Sequence, residues 1–417
     1  MATLEFVKHS RSQIVVTETV IREPLSSGSS PVAIPMLLWK DGSPWREANL
    51  WAMDRTLSGL NPKSVQSSMS GLHTYAKWLE SSDLAWWHFP VREAERCLTR
   101  YRGALIDSID RGEMASSTAA HRMRTVVRFY RWLVATSLLS PAWPMWRERS
   151  FGVRIADTFG LERSVRVQST DLSIPNRARL GERLEGGLTP VSATDRDRII
   201  TFAADSASEE LYWLLRLGFR TGMRLGTLVD LRLGTLDRAV AAPHAPGWYR
   251  IAIGPGAHPP VATKFGVTGQ AWIAQEELDG LRIYATSVRR LMRQVVAAEE
   301  DQDLVLLNRF GRGYGTRGYN LSRAINMEMV RLRRAGARQI PALHNFHFHQ
   351  TRATFATELA RAALQHGGIN DAIGLVKEAL LHKDEATTLR YIRFIQRQDT
   401  MSSLADDFSR SFLGETA

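Results

Sequence analysis

The residues of this 417-residue chain with the most chemical content are few and lie far apart. In TGMRLGTLVDLR, Arg224 stands just after a Thr-Gly turn, near the start of a short helical stretch. A helix N-terminus favours an anion, and a guanidinium there adds a two-pronged clamp for phosphate oxygens. Much further on, HFHQTRATFATEL carries His349 and Arg352 at i, i+3 spacing, which puts both on one face once a helix has begun. A histidine beside an arginine suits phosphate better than a metal, because guanidinium repels a cation. His344 and His347 are near, but no carboxylate completes a ligand set and HExxH does not occur. The series ends in LHKDEATTLRY, where Tyr391 follows His382 by nine positions and apolar patterning requires neither residue.

What the chain leaves out is also informative. Of its 54 basic residues only seven are lysine, and Lys264, in VATKFGVTG, is the only lysine between Lys77 and Lys377. Lysine can give up a proton when neighbouring cations lower its pKa, and arginine effectively cannot. A lysine at a hairpin tip in an arginine-rich chain is therefore a candidate proton donor. The formal net charge of +11 and an isoelectric point near 10.1 make a polyanion, above all nucleic acid, the leading partner class. The single cysteine, Cys97, excludes an internal disulfide framework and a multi-cysteine zinc site. No run of eighteen apolar residues occurs, and MATLEFVKHS lacks a charged-then-apolar signal pattern, so a cytoplasmic location is expected, nucleoid-associated when on DNA.

These residues must be positioned by elements that periodicity outlines. Residues 1–45 read as an irregular lead-in, with PLSSGSSP at 24–31 as flexible chain. Val65, Met69, Leu72, Ala76 and Leu79 fall on one helical face and Val126, Tyr130 and Leu133 on another, which predicts a compact helical domain over residues 46–140. Nine of the twelve tryptophans precede residue 150, and at helical spacing they are expected in its core. The breaker PAWPMW opens a linker over 141–190, after which Thr194 is expected to cap a helix. The second domain, 191–400, reads as mixed, with helices around a hairpin formed by WYRIAIG and PVATKFG. GRGYGTRGYN spells G-x-G-x-x-G through Gly313, Gly315 and Gly318, but without an alternating βαβ pattern it reads as a loop into a helix, not a dinucleotide site. No cofactor is expected.

Taken in order, TGMRLGTLVDLR, then HQTRATFAT, then LLH followed by Tyr391 in TTLRY resemble the tyrosine recombinase, or phage integrase, family. The motifs cover about residues 190 to 400, and FYRWL extends the likeness more weakly over 46–140. The resemblance implies a mainly α fold with a small β-hairpin or sheet. A helical core DNA-binding domain would precede an α+β catalytic domain, the two forming a C-shaped clamp on double-stranded DNA. It implies catalytic roles for Arg224 and Arg352 as phosphate clamps, Lys264 as the hairpin lysine, His349 as the histidine of H-x-x-R, His382 as the next histidine and Tyr391 as nucleophile. Cleavage would pass through a 3′-phosphotyrosyl bond without metal or ATP, serving a site-specific recombinase or integrase of a mobile element. A type IB topoisomerase or telomere resolvase, and a non-catalytic DNA-binding regulator, are the alternatives. Arg122, Arg128 and Arg131 are candidate DNA contacts. Residues 401–417, with Met401, Leu404, Phe408 and Phe412 on one helical side, form a tail that packs on its own domain or, as the family implies, joins neighbours in a homotetramer on two DNA sites. The chain departs from the family pattern at Thr227, where an acid is usual, at Leu381, where glycine is usual, and at Ala353, where histidine often follows the second arginine.

Overall fold

The computed structural model describes residues 1–9, 12–16, 20–24, 32–156, 162–176, 184, 187–315 and 323–413. The chain divides into two compact units, Met1–Leu180 and Gly181–Ala417, each with its own core.

The first unit opens with strands where an irregular lead-in was expected. β1 (Thr3–His9) pairs antiparallel with β4 (Val32–Leu38), and β2 (Ser12–Val16) pairs with β3 (Val20–Pro24). The reason lies in β4, whose Ile34 and Leu37 are buried against the helices, so a short apolar run takes the extended form by packing. The serine-rich segment 25–31 lies outside the described residues. Four helices follow: α1 (Arg46–Leu57), α2 (Pro62–Ser81), α3 (Cys97–Asp110) and α4 (Ser116–Ala135). Asn61 caps α2 by accepting from the Lys63 N–H, with Pro62 in the first turn. The expected stripes of α2 and α4 are buried, as are Trp45, Trp51 and Trp86, whereas Trp87 and Trp143 are exposed and depart from the expected placement in the core. The expected linker also contains structure, since β5 (Glu148–Ala156) pairs antiparallel with β6 (Glu162–Thr170). Alternation of apolar and polar residues in SFGVRIA and SVRVQST carries that signal, which a search for helical period misses.

The second unit begins with α5 (Ala193–Ser206), capped by Ser192, not Thr194: the Ser192 hydroxyl accepts from the Asp195 N–H. Next come α6 (Glu209–Thr221), α7 (Leu225–Leu228) and α8 (Leu233–Asp237), then a three-stranded antiparallel sheet of β7 (Val240–Ala241), β8 (Trp248–Ile253) and β9 (Gly269–Ala274) in that order. The hairpin partner of WYRIAI is therefore GQAWIA, and VATKFG is the connection between them. Helices complete the unit: α9 (Gln275–Ala285), α10 (Val288–Val295), α11 (Arg323–Gly336), α12 (His349–His366), α13 (Ile369–Leu380) and α14 (Glu385–Leu413). The sequence reading separates a tail at 401, yet α14 runs through that point, so Tyr391 and the tail share one helix. Met401 and Leu404 are 63% and 57% exposed, which removes packing on their own unit for these two; the side chains of Phe408 and Phe412 lie outside the described residues. Among the described residues no helix is long and apolar enough to cross a membrane.

Candidate active site

Helix α12 is the axis of the site, packed on α6, α13 and α14. Arg352, in its first turns, is 2% exposed. Its Nη1 donates to the Gly222 carbonyl at 2.7 Å and its Nη2 to the Leu380 carbonyl at 2.8 Å. Both acceptors sit at helix C-termini, Gly222 at the cap of α6 and Leu380 at the end of α13, where carbonyls lack intrahelical partners and the dipole is negative. A buried guanidinium is thus offset by two helix ends, and its plane is fixed. Gly222 adopts φ 63°, ψ 8°; a Cβ there would overlap the Phe355 ring and come within 2.7 Å of Leu380.

Arg224 is the N-cap residue of α7 and is half-buried. Arg224, Lys264 and Arg352 line one recess of about 20 Å³, together with Thr227, Leu380 and Leu381. That volume takes about one water-sized group, the scale of a phosphate oxygen. Lys264 is exposed in the β8–β9 connection, where its Nζ stands 5.2 Å over the Phe265 ring. The connection is tied down from both sides. The Asp230 carboxylate accepts from the Ala262 N–H at 2.6 Å, and the Thr263 hydroxyl donates to the Val267 carbonyl at 2.6 Å.

His382 is 5% exposed, with Nδ1 2.9 Å from the Thr388 hydroxyl. The Tyr391 ring lies nearly parallel to it, 14° between planes and 6.0 Å between centroids. Tyr391 is fully buried in an apolar cluster with Ala356, Ile373 and Ile392. The recess therefore gathers Arg224, Lys264 and Arg352; His382 directly follows its wall residue Leu381; His349, half-buried at the start of α12, and Tyr391 are not among its lining residues. Leu381 takes the left-handed region, φ 49°, ψ 51°, a strain of about 1–2 kcal/mol for a residue with a Cβ. Gly269 makes room for its side chain, since a Cβ at 269 would overlap it. Thr227, in place of an acid, is 5% exposed under the recess.

Sequence reasoning misses Asp230, Thr388 and Gly222 as positioning groups. A glycine directly after α6 is a helix-stop signal that could have found Gly222; the other two act across loops and leave no local pattern. In the first unit, Arg128 and Arg131 of α4 line a cavity of about 200 Å³ with Arg124, which the sequence reading omits although 124, 128 and 131 follow helical spacing. Arg131 also pairs with Glu148 at 2.8 Å, and Arg122 turns elsewhere, its Nη1 3.6 Å from Met114 Sδ. Gly318 of the GRGYGTRGYN loop lies outside the described residues, and the helix expected after that loop is α11.

No protein-family model matches the chain, and no curated protein matches it. Solved structures do. A Tn1549 transposon integrase in complex with a circular intermediate DNA superimposes with a TM-score of 0.50 at 12% identity, over 83% of this chain and 94% of that one. A lambda integrase dimer bound to a COC′ core site gives 0.47 at 13% identity over 83% and 76%, and the XerA recombinase 0.34 at 15% identity over 86% and 98%. At such identities the first of these likenesses bears on architecture alone: the chain carries the tyrosine recombinase fold.

Proposed function

We propose that the protein is a site-specific DNA recombinase that cuts and rejoins strands through a 3′-phosphotyrosyl intermediate at Tyr391, on behalf of a mobile element. The observation that carries this reading is the one recess whose lining includes Arg224, Lys264 and Arg352. A phosphodiester shields its phosphorus with negative charge, and the pentavalent transition state adds charge to the non-bridging oxygens. Fixed guanidinium donors aimed there stabilise it by about 3 kcal/mol each. The two carbonyl bonds of Arg352 supply that fixity. Phenol is an apt nucleophile because it ionises near pH 10, far more readily than an aliphatic hydroxyl.

In the proposed step the Tyr391 oxygen bonds to phosphorus as the 5′-oxygen leaves. His349 takes the phenolic proton, Lys264 protonates the 5′-oxygen, and His382, oriented by Thr388, donates to the phosphate. A 5′-hydroxyl from a second strand reverses the step, so the phosphotyrosyl bond conserves the energy of the cut. The reading asks one movement of the fold: Tyr391 must leave its buried place beside His382 to reach a phosphate in the recess. The Arg124, Arg128 and Arg131 cavity of α4 suits backbone phosphates in the first unit. Four copies on two duplexes, joined through the exposed Met401 and Leu404 of α14, would carry out the exchange.

The test is a nicked suicide substrate bearing the target site, found by footprinting DNA beside the coding gene. A covalent adduct that survives denaturation, maps to Tyr391 and is lost in Tyr391→Phe supports the reading. An adduct at another residue, or none with a footprinted site, removes it. Exchange between two labelled duplexes then separates a recombinase from a topoisomerase.

A further inference from the structure

Lys264 is held at the recess through its backbone. Among the described residues its ammonium has no hydrogen bond or ion pair, only the Phe265 ring at 5.2 Å. Its place therefore depends on how the β8–β9 connection is fastened. Two residues before it, the Ala262 N–H donates to Asp230 Oδ2 at 2.6 Å, and Thr263 between them is extended, at φ −130°, ψ 156°. Two extended residues span at most about 7 Å, so the Asp230 bond limits where Lys264 can stand.

Asp230 follows α7 and is held from its other side. Arg232, the N-cap residue of α8, places Nη2 3.7 Å from Asp230 Oδ1 and donates from Nη1 to both oxygens of Asp303, at 2.6 and 2.7 Å. The Asp303 backbone is fixed in turn. Its carbonyl accepts from the Leu233 N–H at 2.8 Å, and the Val305 N–H donates to the Leu231 carbonyl at 2.8 Å, on either side of a bridge between Arg232 and Leu304. One guanidinium thus stands between two carboxylates, one set in a backbone bridge and the other bonded to the connection that carries the lysine. The side chains of Arg232 and Asp230 are 24% and 26% exposed, so their attraction is screened less than that of a surface pair.

We propose that Arg232, clamped by Asp303, is a positioning residue for protonation of the leaving 5′-oxygen: it holds Asp230 on the Ala262 N–H and so keeps Lys264 at the recess. The proposal rests on Lys264 as the proton donor of the reading above. In that step the bond from phosphorus to the 5′-oxygen breaks, and the proton that this oxygen takes up comes from Nζ. An ammonium out of place fails at that transfer, while the attack by Tyr391 and the contacts of Arg352 do not depend on it.

The readout is a ratio of two rates. Adduct formation is measured on the suicide substrate with oxygen and with sulfur at the 5′-bridging position of the scissile phosphate, because a thiolate leaves without a proton. Asp230→Ala and Arg232→Met should slow the oxygen substrate by about a hundredfold and about tenfold, and regain most of the rate on sulfur, as Lys264→Ala does. Arg232→Lys keeps the charge but loses the two-pronged grip on Asp303, so its ratio should fall between those of Arg232→Met and wild type. It also carries the test where Arg232→Met yields too little folded protein. Partial unfolding lowers both rates of one preparation together and leaves the ratio unmoved. A sulfur-to-oxygen ratio at the wild-type value in the Asp230 and Arg232 variants, with that of Lys264→Ala raised, overturns the positioning role and leaves the proton donor standing. A ratio unmoved in Lys264→Ala as well overturns the proton donor, and this role with it.

Discussion

Replacing Gly222 by alanine tests how Arg352 is held. Two penalties add at this position. The left-handed backbone, φ 63°, costs an alanine about 1–2 kcal/mol. The new methyl would also overlap the Phe355 ring and stand 2.7 Å from Leu380, an overpacking of about 1–3 kcal/mol. Gly247 provides the control, since it has φ 80° and nothing within 4 Å of where a methyl would stand, so Gly247→Ala carries the backbone penalty alone. Hydrogen exchange of the α6 and α12 amides reads both variants within the second unit. We expect Gly222→Ala to lower their protection by about 2–5 kcal/mol and Gly247→Ala by about 1–2 kcal/mol. The excess measures the clash, and relieving it must push the Gly222 carbonyl or Leu380 away from the Arg352 nitrogens that they accept from. A guanidinium displaced by ~1 Å loses about a hundredfold in rate, so adduct formation on the suicide substrate should fall by that factor even where the variant is folded. If Gly222→Ala matches Gly247→Ala in exchange and reacts at the wild-type rate, the two helix ends do not position Arg352.

Other consequences follow from neighbouring contacts. Lys264→Ala should block cleavage of a normal phosphodiester and regain it on a substrate whose leaving oxygen is replaced by sulfur, because a thiolate needs no proton; gel analysis of adducts checks this, and absence of rescue removes the acid role. Thr388→Val should slow adduct formation by about fivefold through loss of one hydrogen bond to His382 Nδ1, with footprinting on DNA unchanged. Glu210 is fully buried between Arg289 at 2.8 Å and Arg293 at 2.5 Å. Burial pushes its carboxyl up, but hydrogen bonds from Arg289, Arg293 and Tyr284 outweigh this and hold it below the usual glutamate value. Its stabilising contribution is therefore present above the ordinary glutamate pKa and disappears as pH falls through the lowered one. Glu210→Gln should cost about 3 kcal/mol at neutral pH, and chemical denaturation in acid should show the gap closing.

Local chemistry was more legible in the sequence than long-range placement. Helical stripes such as Val65 to Leu79 follow from one period, and the fold class follows from helices flanking a short extended run. Strands β1 and β4 were not legible, because they are stabilised by each other across more than twenty residues, whereas β5 and β6 carry an alternation that a search for helical period passes over. The assignment of PVATKFG as a strand fails for a related reason: Val261 bridges only Gly254, and the ladder resumes at Gly269 where pairing with Ile253 is possible. Residue types at the candidate site were readable as anion chemistry, but the burial of Tyr391 was not. A tyrosine on an amphipathic helix carries no mark of whether its face is occupied by core or by substrate.

Leu381 connects these observations physically. The chain must turn sharply between the end of α13, whose Leu380 carbonyl serves Arg352, and His382, which faces Thr388 and Tyr391. Glycine would take the left-handed turn without strain; leucine takes it because its side chain fills the space left by Gly269 in β9. The same residue lines the recess that Lys264 approaches from the other end of the β8–β9 connection. The groups proposed as clamp, proton donor and nucleophile thus lie around one strained corner, whose leucine side chain packs against the sheet at Gly269. Any shift of α14 that frees Tyr391 must be absorbed beyond this corner, between His382 and the first turn of α14, because upstream of it the backbone is fixed by Arg352 and by Gly269.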